Sequence, residues 1–331
     1  MIGNEPEYGV AENYRRFGAH QARGRSPLYE ELAAGVADDP ELVAFLDELP
    51  ADRRQPTLLF ATVRFLAGLP SGYAAFRDVV LGRRDEVATT MLARRTQTNE
   101  PARCATLLPA LAALDGPLAL LEVGASAGLC LLPDRYGYSY RRAGEEVARI
   151  EGSPLLPCDV LGPAPLPATT PSVVWRAGID LDPLDAADPD DLRWLACLVW
   201  PGQPSRVERL EAAAEVARVD PPRVVRGDLV DELHAVAAGA PRDATLVVFH
   251  SAVLTYLPTE RRWAFAEAVG DLDAVWLANE SASVLADLPS PPPTDLPDPP
   301  PGPAPFLLAR DGREPLAWVD GHGAWLQWLG G

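Results

Sequence analysis

From about residue 117 onward, short apolar runs alternate with helical stretches, and no other feature of the chain restricts its fold as much. Residues 118–123, 172–179, 223–226, 244–249 and 274–278 each read as a strand buried on both faces. Strands of this kind separated by helices predict a parallel sheet covered on both sides. The tail has a different rhythm: Phe306–Arg310, Leu316–Val319 and Ala324–Leu329 are separated by turn signals at Asp311-Gly312 and Gly321-His322-Gly323, which predicts an antiparallel C-terminal edge. Residues 289–305 are dominated by proline and read as an extended linker or rim loop.

Upstream, from about Tyr8 to Leu114, apolar residues recur at three- and four-residue spacing, as in Leu59, Val63 and Leu66. Asp39-Pro40-Glu41 combines an N-cap, a first-turn proline and an early acid, and Gln55-Pro56-Thr57 introduces another helix. The expected organisation is therefore α/β: an all-helical domain over residues 1–114, then a Rossmann-like, mostly parallel sheet domain over 115–331 with antiparallel C-terminal strands in 306–331.

Composition narrows the chemistry. The formal net charge is −18, which opposes the attraction that supplies most non-specific nucleic-acid affinity, so a small-molecule partner is expected rather than a nucleic acid. The chain has no lysine, which excludes a Walker A loop and a lysine Schiff base. Cys104, Cys130, Cys158 and Cys197 are too dispersed for zinc-ligand spacing and read as buried thiols, so no metal is expected. Neither a secretory signal pattern nor an apolar run of membrane-spanning length occurs, and the expected location is the cytoplasm.

The segment richest in chemical information is Leu121-Glu122-Val123-Gly124-Ala125-Ser126-Ala127-Gly128-Leu129, a strand that runs into a small-residue turn and, by expectation, a helix. Small residues let a ligand approach the backbone, and a helix N-terminus offers unpaired N–H groups. Class I methyltransferases carry acid-x-Gly-x-Gly-x-Gly at such a place; Glu122, Gly124 and Gly128 match, and Ser126 replaces the middle glycine. Gly124 to Gly128 also spell Gly-x-Ser-x-Gly, the nucleophile elbow of α/β-hydrolases, with Ser126 as nucleophile and His322 as the candidate base. The elbow needs earlier strands of the same sheet, whereas the preceding residues read as helix.

Further candidates end the later strands. Gly178-Ile179-Asp180-Leu181-Asp182-Pro183 offers Asp180 to a ribose, although Asp180 lies much farther along than the roughly 20 residues usual for that acid. Either residues 134–171 are an insertion or the ribose acid is an earlier one near Glu145. Gly227-Asp228-Leu229 provides an acceptor for an adenine amino group, with a turn-capping aspartate as the plain alternative. The strand ending in Phe249-His250-Ser251 releases His250 as a candidate base, and Asn279 and Glu280 end the next strand at the same rim.

With these residues assembled, the chain resembles over nearly its full length the bacterial family known as domain of unknown function 2332, whose fold is grouped with methyltransferase-like Rossmann proteins. The likeness rests on Arg94-Arg95-Thr96-Gln97-Thr98-Asn99-Glu100, the glycine loop, Trp175 to Asp180, Val199-Trp200-Pro201, Phe249-His250-Ser251 and Asp320-Gly321-His322-Gly323. It implies a methyltransferase-type fold and S-adenosylmethionine as candidate ligand; on the residues above, Glu122, Gly124, Ser126, Gly128, Asp180, Asp228, Leu229 and His250 are expected to hold that cofactor, and the alternatives are the serine hydrolase and a fold that binds an adenosyl ligand without catalysis. It also implies that the Arg94–Glu100 segment faces the glycine loop as a substrate lid, the plain alternative being a solvated helix end; Arg95 and Asn99 are expected to join His250 in catalysis. Cys130 stands where relatives read asparagine.

Overall fold

The computed structural model describes residues 8–301 and 305–330. The chain divides into two compact units: one holds the residues up to Thr98 together with Pro189–Glu208, the other Asn99–Asp188 and Arg209 onward.

The first unit begins with α1 (Val10–Phe17) and a π-helical turn, followed by α2 (Pro27–Asp38), α3 (Pro40–Asp47), α4 (Pro56–Ala67), α5 (Tyr73–Gly82) and α6 (Arg84–Ala93). The expected start signals operate. Ser26 caps α2 ahead of Pro27, and the Asp39 carboxylate accepts from the amides of Glu41 and Leu42 ahead of Pro40, satisfying donors that have no partner inside the helix. Tyr14, Phe17, Tyr29 and Phe76 pack their rings around Phe60.

The second unit opens with α7 (Arg103–Ala112) and β1 (Leu118–Val123), then β2 (Gly137–Arg142), β3 (Glu145–Ile150), β4 (Leu155–Val160) and β5 (Val173–Asp180). The chain returns to the helical unit for α8 (Pro189–Leu198) and the first turn of α9 (Pro204–Val219). It completes the second unit with β6 (Arg223–Arg226), α10 (Leu233–Ala237), β7 (Thr245–Ser251), α11 (Thr259–Gly270), β8 (Val275–Ser281), α12 (Ala282–Ala286), β9 (Phe306–Arg310), β10 (Glu314–Val319) and β11 (Trp325–Trp328). All eleven strands join one sheet in the order β3-β2-β4-β11-β10-β9-β8-β7-β1-β5-β6. The run β8-β7-β1-β5-β6 is parallel throughout. Leu121, Val123, Ile179 and Val248 form a core with Leu233 of α10, Phe265 of α11 and Leu285 of α12.

Four expectations change. The division falls at Thr98 rather than near 114, because α7 belongs with the sheet: the Tyr140 hydroxyl on β2 donates to Ala105 O, and Arg103 donates to Ser251 O and Gly321 O. The stretch 134–171 is an insertion that carries β2, β3 and β4. These strands extend the sheet beyond β11, so β9, β10 and β11 lie inside it and the charged, exposed β3 forms its edge. Glu145, on that edge, is thereby separated from β1 by most of the sheet. Finally, the glycine loop leads into a single 3-10 turn, Leu129–Leu131, and not into a helix. The hairpin between β9 and β10 turns at Asp311-Gly312 with both residues at positive φ, as expected. Residues 289–301 form no helix or strand, and Trp318 donates to Pro297 O there; 302–304 lie outside the described residues. No helix among the described residues is long and apolar enough to cross a membrane.

Candidate functional site

The parallel strands change direction of connection between β1 and β7: β5 and β6 follow on one side of β1, β7 and β8 on the other. A crevice outside the carboxyl ends at such a point is where open α/β sheets take ligands. The register aligns Glu122 with Gly178 and Phe249, and Ser251 with Asn279. Side chains alternate along a strand, so Glu122, Asp180, Ser251 and Asn279 share the face that α7 covers. His250 and Glu280 lie on the opposite face with Phe265 and Trp276.

The loop after β1 is held from within. Gly124 N and Ala125 N donate to Ile179 O, Ser126 N to Asp180 Oδ2 at 2.8 Å, Gly128 N to Ala125 O, and Leu129 N to Asn99 Oδ1 at 3.0 Å. Asn99 Nδ2 returns a hydrogen bond to Ala125 O at 3.1 Å. These amides are thus engaged by the protein itself, and with only a 3-10 turn behind them they do not form the expected anion-binding helix start. The glycines answer to packing: both have φ near +71°, and a Cβ would lie 2.3 Å from Val253 at Gly124 and 2.7 Å from Pro222 at Gly128. Gly178 lets β5 approach, since a Cβ there would meet that of Ala125 at 2.5 Å.

Around this loop the expected site residues take distinct positions. Asp180, at the tip of β5, accepts from Ser126 N through one oxygen and from Asp182 N through the other. Glu122 is buried; its burial, aided by Cys130 and Asp180 and opposed by Arg103, pushes its carboxyl well above the ordinary range. Asp228 caps the turn after β6 through Oδ1, which accepts from Val230 N at 2.8 Å and pairs with Arg261. Leu229 belongs to the apolar core. Asn99 does reach the glycine loop, as the family likeness implied, but both ends of its amide are spent in clamping that loop. Arg95 is an exposed residue of the helical unit whose carbonyl accepts from Trp194 Nε1.

His250 is enclosed, its Nδ1 2.9 Å from Glu280 Oε1. Ser126 carries the φ of 54° that suits a strained elbow, yet its hydroxyl has no hydrogen-bond partner among the described residues, so no base stands beside it. His322 is exposed in the turn between β10 and β11. Asn279 donates to Ser251 Oγ at 2.8 Å. The sequence did not single out Arg103, whose guanidinium is buried at the centre of this face; a lone arginine at a helix start carries no signal of that role. The Cys130 thiol donates to Glu100 O at 3.4 Å, and Cys104 together with burial pushes it up.

Buried polar atoms without hydrogen bonds concentrate here. Among the described residues, Glu122 Oε2, Ser126 Oγ, His250 Nε2, Asn279 Oδ1 and Glu280 Oε2 are all of this kind, and all lie at the carboxyl ends of β1, β7 and β8. Unsatisfied buried groups are few in folded chains and call for a cause such as a ligand or water. No group of three or more histidine, cysteine or acidic side chains among the described residues is arranged to hold a metal ion.

No curated protein and no solved structure matches the chain. One family model does, over residues 11–328, so the chain belongs to the family described as uncharacterized proteins conserved in bacteria, DUF2332.

Proposed function

We propose that the carboxyl-terminal rim of β6, β5, β1 and β7 binds S-adenosylmethionine and that the chain is a cytoplasmic methyltransferase acting on a small molecule. The observation that carries this reading is the carboxylate of Asp180 at the tip of the strand beside β1, joined to the glycine loop through Ser126 N at 2.8 Å. A carboxylate is an acceptor-only group of the kind that takes ribose hydroxyls. The inserted strands β2 to β4 account for the long interval between Glu122 and Asp180, since β5 still pairs with β1 once they are set aside.

The residues fit an adenosyl group in their acceptors more than in their amides. Asp180 would take the ribose and Asp228 the adenine amino group, while Glu122, its Oε2 buried without a hydrogen-bond partner, would meet the methionine end. When bound, the cofactor supplies an electrophilic methyl group on a sulfonium. The chain's part is to fix two reactants in line, and such positioning supplies most of the acceleration in a displacement of this kind. His250 has no direct part in the transfer, because it lies on the opposite face of the sheet with its ring packed against Phe265 and Trp276.

Isothermal titration of the purified, ligand-free protein with S-adenosylmethionine and S-adenosylhomocysteine tests the reading. Binding is expected, weakened at least about tenfold in Asp180→Ala, the loss of a hydrogen-bonded charged acceptor being worth about 1.5–3 kcal/mol. Folded protein that binds neither ligand refutes the assignment. The positive φ of Ser126 favours one rival, a serine hydrolase; covalent labelling of Ser126 by a fluorophosphonate probe would install it instead.

A further inference from the structure

We infer that Glu280 is a positioning residue for the glycine loop, acting through the strained turn that follows β7; its effect on cofactor affinity rests on the reading above, its effect on the loop does not. Glu280 is fully buried at the end of β8, and a single carboxylate oxygen gathers three groups. Oε1 lies 2.9 Å from His250 Nδ1 and accepts from Val253 N at 2.6 Å and Leu254 N at 2.8 Å. The His250 ring packs against Phe265 and Trp276. The pair therefore forms a rigid anchor in the core.

What it anchors is a turn that would not hold itself. Ala252 has φ 59°, in the left-handed region that a residue with a Cβ adopts only when its surroundings compel it. Its own amide is tied to Asn279 O at 3.0 Å, and the next two amides are those that Glu280 takes. The turn in this shape seats the Val253 side chain on Gly124: an added Cβ there would lie 2.3 Å from Val253 Cγ2. Gly124 is the first residue of the loop, itself at φ +71°. A buried carboxylate on one strand thus sets the start of a loop that leaves another strand, while Asn99, Pro222 and Val224 fix the loop's far end.

Hydrogen exchange of the full chain tests this directly, because the amides of Gly124, Ala125, Ser126, Gly128 and Leu129 are hydrogen-bonded and exchange of such amides requires local opening. Glu280→Ala is expected to speed exchange at least about tenfold in both 252–257 and 124–129, with 306–328 unchanged. Val253→Ala, which leaves Glu280 intact, is expected to speed it in 124–129. Glu280→Gln keeps an acceptor oxygen for the same donors and is expected to restore protection in both segments, a rescue that general core loosening would not give. Wild-type exchange at 124–129 in Val253→Ala, or opening of 252–257 alone in Glu280→Ala, overturns the inference, and the first arm decides even where Glu280→Ala fails to fold. In titrations with S-adenosylhomocysteine, Val253→Ala is expected to bind at least about fivefold more weakly with an unchanged melting temperature. Equal affinity in a wild type and variant that both bind overturns positioning while sparing the cofactor reading. A wild type that binds neither adenosyl ligand refutes the cofactor reading, and the exchange data then decide Glu280's part in the loop.

Discussion

Glu122 is the last residue but one of a strand in which every residue is buried, and its carboxyl is buried with the rest. Desolvation dominates its titration, with Cys130 and Asp180 reinforcing the upward shift and Arg103 opposing it. An acid held above its unfolded value keeps its proton in the folded state when the unfolded chain has released it. The folded state then loses stability as pH rises from the ordinary carboxyl range toward the raised value, by up to about 1.4 kcal/mol per pH unit. Glu122→Gln removes that penalty with nearly the same shape. The variant is expected to be more stable than wild type to urea at pH 7 to 8 and to converge with it near pH 4. An unchanged difference across that range would mean that Glu122 is ionised in the folded protein.

At the scale of elements, Asp39 shows how one short side chain fixes several helices. It ends α2, caps α3, and receives the Tyr73 hydroxyl at 2.8 Å and Arg77 Nε at 2.6 Å from α5. Burial would raise its pKa, but Arg77, Tyr73 and the amides of Leu42 and Glu41 outweigh burial and hold it at about 2. Because the folded value is depressed, this stabilisation is present above the ordinary aspartate range near 4 and is lost as pH falls from there toward 2. Asp39→Ala is expected to cost about 1–2 kcal/mol at pH 7 through loss of the cap, with a much smaller deficit at pH 2. Equal deficits at both pH values, followed by circular dichroism, would remove the charge from the explanation. That cap was legible because Asp-Pro-Glu is a local signal, as were β1, β6 and the Asp311-Gly312 turn. Strands β2 to β4 were not, since Glu145-Glu146-Val147 reads as a solvated stretch until β2 is beside it and Pro157 interrupts Leu155–Val160. Asp180 and Glu122 were legible as strand-end acids. The work of Arg103, Asn99 and Glu280 was not, because each acts on backbone atoms far away in sequence.

The chain as a whole is interleaved, which no local pattern announces. The helical unit is completed by Pro189–Glu208, and that short segment supplies much of what the unit buries. Trp194 is fully buried, meets Phe65 edge-on and donates to Arg95 O at 3.0 Å; Trp200 lies 5.4 Å from the rings of both Phe17 and Tyr29. Arg64 reaches the carbonyls of Cys197 and Val199, and Arg94 pairs with Asp191. Removing one buried tryptophan costs about 3–5 kcal/mol, and a domain has only about 5–15 kcal/mol to lose. A polypeptide ending at Thr98 is therefore expected to retain helical circular dichroism but to melt without a cooperative transition. Joining residues 189–208 to it through a flexible glycine-serine linker is expected to restore a sharp melt, and replacing Trp194 and Trp200 by alanine in the joined form to abolish it again. A cooperative melt in the polypeptide that stops at Thr98 would mean that the helical unit is complete without the returning segment, and that α8 packs on a core already formed.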